Sequence, residues 1–198
     1  MGSTDFDPDP LLVYGDALAE LVPGERALAA VVTKPSIGVD PPLPPDEGPH
    51  EYTAGSVAAG VVGAVLSPSL PGAMFPWWLL FGRSAAGTPA STAAASRRAC
   101  TGSATVLLVV TDTTLRLFEP RDSAHFIFEP GKDYGPAAQR LRPLWETPLP
   151  TVRSARVGWY RLHPCRLTIE FTDGSWTAFA SLFEMGRRKA RTAVRALS

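Results

Sequence analysis

The sequence predicts an α+β fold, mainly β, in which a curved antiparallel β-barrel is closed by a C-terminal amphipathic α-helix. Three stretches carry that expectation. Residues 106–119 (VLLVVTDTTLRLFE) run leucine and valine unbroken into Thr111-Asp112-Thr113 and resume with Leu115, Leu117 and Phe118, the pattern of two strands folded through a short polar turn. Residues 165–180 repeat the arrangement: CRLTIEF and SWTAFA flank Thr172-Asp173-Gly174, and an Asp-Gly pair supplies the positive φ that a tight hairpin turn needs. From Ser181 to about Leu197, Ser181 and Glu184 make a capping box, and Phe183, Gly186, Ala190, Val194 and Leu197 form one apolar and small stripe.

The remaining elements follow in chain order. Asp5, Asp7 and Asp9 alternate as in a calcium loop, but Pro10 stands where that loop needs glycine, so the acids are read as favouring the positive end of a helix. Pro10 opens that N-terminal helix, predicted over about 10–22, with Leu11, Tyr14, Leu18 and Leu21 at helical spacing and Pro23-Gly24 as its stop. Residues 26–33 (RALAAVVT) make a first strand. The proline-laden stretch around residues 41–49 is a spacer, since proline neither donates to a ladder nor continues a helix. Alanine, serine and threonine dominate residues 84–103, read as a flexible or marginally helical return linker. Residues 125–129, 145–149 and 153–160 add short strands, with a loop from Pro130-Gly131 to about Pro143. The organisation expected is one domain, 1–198, with a large apolar insertion over about 35–103 and the main barrel and helix over about 104–198.

The insertion is the unusual part. No charged residue occurs from 52 to 82. Gly55, Ala59 and Gly63 form a small-residue stripe that admits another helix closely, and AMFPWWLLFG follows. Pro68, Pro71 and Pro76 argue against one transmembrane span, and each half alone is too short to cross a bilayer. A single crossing would also separate the first strand from the hairpins it should pair with. Two readings survive: a helical hairpin packed in protein or at an oligomer interface, and a re-entrant or interfacial membrane segment. Exposed Trp77 and Trp78 with Phe75 and Phe81 would form an apolar patch that something must cover.

Charge and cysteine usage exclude several classes. The chain has 19 basic and 19 acidic side chains, but residues 1–105 hold five basic and ten acidic, and 106–198 fourteen and nine. A net of +5 spread over the second half falls short of a nucleic-acid footprint, so no nucleic-acid partner is expected. Cys100 and Cys165 make no disulfide framework, and the start lacks a basic region and apolar core, so a cytoplasmic location is expected, with membrane association as the variant reading. His50, His125 and His163 fall in no metal spacing, and no phosphate loop or glycine-framed serine occurs. No catalytic residue, metal or cofactor is therefore assigned, and a non-enzymatic role is expected, with an enzyme whose site is assembled from distant residues as the second alternative. On the final helix Arg187, Arg188, Arg191 and Arg195 line the polar face. They are a weak candidate for anion contact beside the simpler role of complementing the helix dipole.

The runs TVLLVVTDTTLRLFE, WETPLPTVRSARV and CRLTIEFTDGSWTAF with the helix after them resemble the bacterial pleckstrin-homology-like (GRAM-like) domains, of actinobacterial type, over roughly residues 102–198. Thr113-Thr114 departs from the paired basic residues usual after that family's first turn. The resemblance implies a non-enzymatic binding module for lipid head groups, peptides or oligomer assembly. Lys34 alone stands near the family's phosphate-holding connection, so the expected function is protein contact or self-association through the insertion. The alternative is a peripheral module meeting an anionic membrane through Phe75, Trp77, Trp78, Phe81 and Arg83 together with the basic helix.

Overall fold

The computed structural model describes residues 5–6, 8–35, 83–160, 163–180 and 184–198. Local chemistry sets the first elements. Helix α1 (Pro10–Leu21) begins with proline at its first turn, and the Asp9 side chain accepts a hydrogen bond from the Leu11 amide at 3.0 Å. It buries Val13, Tyr14, Ala17 and Leu18, one stripe at helical spacing. A two-residue strand before it, β1 (Asp5–Phe6), pairs with β6 (Ile127–Phe128) in a small separate sheet.

The main sheet is antiparallel. Its strands are β2 (Ala27–Pro35), β4 (Val106–Thr111), β5 (Thr114–Pro120), β7 (Leu141–Pro148), β8 (Val152–Tyr160), β9 (His163–Phe171) and β10 (Trp176–Ala180), in the order β7-β5-β4-β2-β10-β9-β8. A short eighth strand, β3 (Ala85–Ala86), pairs with β10. Three further helices are α2 (Thr92–Ala99), α3 (Ala137–Arg140) and α4 (Glu184–Ala196).

Strand β4 is buried at all six positions because its two faces serve different cores. Val106, Leu108 and Val110 join Val31, Leu115, Leu117, Leu167, Ile169 and Phe171 beneath α4, which inserts Ala190 and Ala193, both 0 % exposed. Leu107 and Val109 point the other way and join Phe118 and Leu141 beneath α1 and its Val13, Tyr14 and Leu18. A strand covered on both faces reads as a continuous apolar run rather than an alternating one, which accounts for the uninterrupted VLLVV of the sequence.

Three sequence expectations are corrected. The sheet does not close into a barrel: β7 and β8, joined by the 3-10 turn Leu149–Thr151, stand at opposite ends of the strand order and do not pair among the described residues. Pro143 and Pro148 in β7 lack the N–H groups that a further ladder would use. Accordingly α4 does not plug an open end but lies across the sheet, against β2, β8 and β9. The return linker contains a true helix, α2, whose Ala93 and Ala94 are buried and whose Ser91 hydroxyl caps the Ala94 amide at 3.3 Å. The expected loop before Pro143 instead holds α3 and the start of β7. The Ser181 and Phe183 positions of the closing helix lie outside the described residues.

Candidate functional site

The two flanks of the insertion meet on one strand. Lys34 and Pro35 of β2 oppose Ala180 and Phe179 of β10, and Ala85 and Ala86 of β3 oppose Thr177 and Trp176 of the same strand. From Phe179 to Thr177 is two residues of strand, about 7 Å. Residues 36–82 therefore leave and re-enter the sheet side by side. Both flanks lie on the same side of any membrane, which rules out a single crossing between them.

Backbone contacts fix the re-entry point. The Arg166 guanidinium donates to the Arg83 carbonyl, and the Ala178 amide donates to the Ser84 carbonyl at 2.7 Å. Arg166 is 4 % exposed, with its cation over the rings of Tyr160 (4.2 Å) and Trp176 (5.3 Å), a packing that favours arginine over other cations. The next turns are tied to the second hairpin: Asp173 accepts from the Thr92 amide at 2.8 Å and Ser175 Oγ from the Ala93 amide at 3.2 Å, so the hairpin turn caps α2. Burial opposes ionisation of Asp173, but bonds from Ser175 and Thr92 outweigh it and hold the carboxyl at about 2. Between α2 and β10 lies a cavity of about 250 Å³ lined by Ser84, Ser96, Arg97, Cys100, Thr177 and Phe179. Burial pushes the Cys100 thiol up to about 12, so it stays a thiol at neutral pH.

Of the predicted contact residues, Phe75, Trp77, Trp78 and Phe81 lie outside the described residues, whereas Arg83 is exposed at the re-entry point. Arg188, Arg191 and Arg195 are exposed on one face of α4, without an ion pair among the described residues. Arg187 is half-buried and its Nε has no hydrogen-bond partner among them. Lys189 turns toward the N-terminal segment and donates to the Pro8 carbonyl at 2.8 Å. The four arginines thus share an element but not one environment.

Sequence reading missed two polar clusters. Glu25, between α1 and β2, accepts hydrogen bonds from Thr111 (2.5 Å), Thr114 (2.6 Å) and Arg116 (2.7 Å), and Arg116 also pairs with Glu146. On the same face of the sheet, Tyr14 donates to Asp122 at 2.6 Å and lies 3.2 Å from His125 Nδ1. Arg140 bonds the second oxygen of Asp122 at 3.0 Å and the Val13 carbonyl at 2.8 Å, with its guanidinium 5.1 Å from the rings of Tyr14 and Tyr134. Glu25 is 86 residues from Thr111 and Tyr14 is 108 from Asp122, so no local spacing marks either cluster. A groove of about 450 Å³ opens beside Arg140 between α1 and residues 131–137.

Among the described residues, no group of three His, Cys, Asp or Glu side chains could hold a metal ion, and no helix is long and apolar enough to cross a membrane. Comparison with protein-family models, with curated proteins and with solved structures returns no match.

Proposed function

We propose that the chain is a non-catalytic binding module of the pleckstrin-homology-like kind that acts through its apolar insertion, whose residues 52–82 are uncharged, on a protein partner or a second copy of itself. One observation carries this reading: residues 36–82 depart from and return to neighbouring positions of β10, while α1 and α4 cover the two faces of the sheet centre. Within that excursion residues 52–82 carry no charge, a composition that suits an external apolar surface. The meander order of the sheet and its final helix support the family resemblance.

The peripheral-membrane alternative rests on a different observation, the exposed cations Arg188, Arg191 and Arg195 on α4. Each arginine held near an anionic leaflet contributes on the order of 1 kcal/mol, weakening as salt rises.

Replacing residues 36–82 by a short glycine-serine linker separates the readings. The strands on either side of the replaced stretch pair with neighbouring positions of β10, so a short linker should reach and the sheet should keep its melting temperature within a few degrees. Light scattering should then report a fall from oligomer to monomer, or loss of a bound partner, with flotation on anionic vesicles absent throughout. Flotation of the parent that disappears with the deletion supports the membrane alternative instead. A monomeric parent that neither floats nor captures a partner refutes both.

A further inference from the structure

We infer that residues 121–126 form a proton-operated latch, held shut over Tyr14 of α1 while His125 is neutral and released when His125 takes up a proton. The inference concerns the sheet face opposite α4 and is independent of the function proposed above.

The geometry fixes the proton inventory. Tyr14 is 0 % exposed and has one hydroxyl proton, which the 2.6 Å contact assigns to Asp122 Oδ1. Its oxygen then accepts from His125 Nδ1 at 3.2 Å, so the neutral ring carries its proton on Nδ1. That leaves Nε2 as a bare lone pair. His125 is 8 % exposed, its Nε2 is buried, and no hydrogen-bond partner faces it among the described residues. The neutral ring tolerates this because an unpaired acceptor costs far less than an unpaired charge.

Protonation at Nε2 would create a buried N–H without an acceptor and a cation in an apolar site. The charged groups around the ring are Asp122 in the same segment and Arg140 from α3, while α1 contributes the Tyr14 hydroxyl. Asp122 favours the imidazolium through its carboxylate and carbonyl, but its charge is already engaged by Arg140, and burial outweighs it, leaving the ring harder to protonate than a free imidazole. A group harder to protonate in the closed form favours that form fully above its ordinary value of about 6.5 and loses this preference as pH falls toward the lower closed-state value.

The segment most easily released is the one that carries the ring. It is a turn between β5 and β6, with Phe126 already 47 % exposed, and only Ala124 and His125 in it are buried. Swinging it outward hydrates His125 and uncovers Tyr14 and Arg140 beside the 450 Å³ groove, while α1 stays on the sheet through Val13, Ala17 and Leu18.

The test uses the full chain. Proton NMR of His125 should show it titrating below 6.5. Amide exchange of residues 121–128, corrected for the intrinsic pH dependence, should accelerate by up to about tenfold per pH unit below 6.5, with β9 unchanged. His125→Phe, which keeps an apolar ring but cannot titrate, should abolish the acceleration; His125→Asn serves the same purpose should the phenylalanine variant fail to fold. Titration of His125 at or above 6.5, or acceleration persisting in the non-titrating variant, overturns the latch.

Discussion

Glu25 anchors the turn after α1 to the β4–β5 hairpin through three hydrogen bonds, and its environment sets a pH dependence. Burial opposes its ionisation, yet the bonds from Thr111, Thr114 and Arg116 prevail and bring its carboxyl from 4.5 to about 2. Because the folded value is depressed, the stabilisation is complete above about 4.5 and is lost as pH falls toward about 2. With water still reaching the carboxylate, it contributes about 1–2 kcal/mol at neutral pH. Glu25→Gln should lower urea stability by that amount at pH 7 and show a flatter loss between pH 4.5 and 2; an identical pH profile would show that the bonds do not favour the charged form. Gly87 makes a steric case at the same scale. Its φ is +149°, and a Cβ there would lie 2.4 Å from Ser91 Oγ and 2.7 Å from Ser175 Cβ, between the α2 cap and the second hairpin. Gly87→Ala is therefore expected to cost about 1–3 kcal/mol by denaturant titration, through strain and overpacking together.

At the scale of the element, α2 shows what sequence pattern leaves hidden. Its segment TAAASRRA has no large apolar residue, so periodicity gives no face to bury, and the long-range cap that fixes its start is Asp173, 81 residues away from Thr92. Small side chains bury Ala93 and Ala94 closely against the sheet, a fit that composition reads as a linker. Asp173→Ala should destabilise the protein by about 1 kcal/mol and speed exchange of the first α2 amides, leaving β4 unaffected. Unchanged α2 exchange would mean that Ser91 and Ser175 suffice as caps. The hairpins, by contrast, were legible because their signals are local: an apolar run, a polar turn, and Asp173-Gly174, where Gly174 does take φ +80°. The polar clusters of Glu25 and of Tyr14, Asp122, His125 and Arg140 were not legible, since each joins residues that only the folded sheet brings within bonding distance.

For the molecule as a whole, β4 is the shared wall of two cores, and the open sheet depends on helices to cover both faces rather than on barrel closure. Period-two patterning says which residues face alike but not whether the outer strands join, which is why closure was expected and an open sheet is found. The two-core arrangement has a testable consequence. Leu107 and Leu108 are neighbours in sequence and both 0 % exposed, yet Leu107 packs beneath α1 with Phe118 and Leu141, while Leu108 packs beneath α4 with Val31 and Leu117. Truncating either to alanine should cost about 2–5 kcal/mol, the range for a buried leucine that leaves a cavity. Since the cavities open on opposite faces and share no lining side chain, the double variant should lose the sum of the single losses within about 0.5 kcal/mol. All three variants should still unfold in one transition, because both cores hang on the same strand. Separate transitions for the α1 and α4 faces, seen by exchange or by two heat-capacity peaks, would show instead that β4 does not couple the cores and that each helix layer melts on its own.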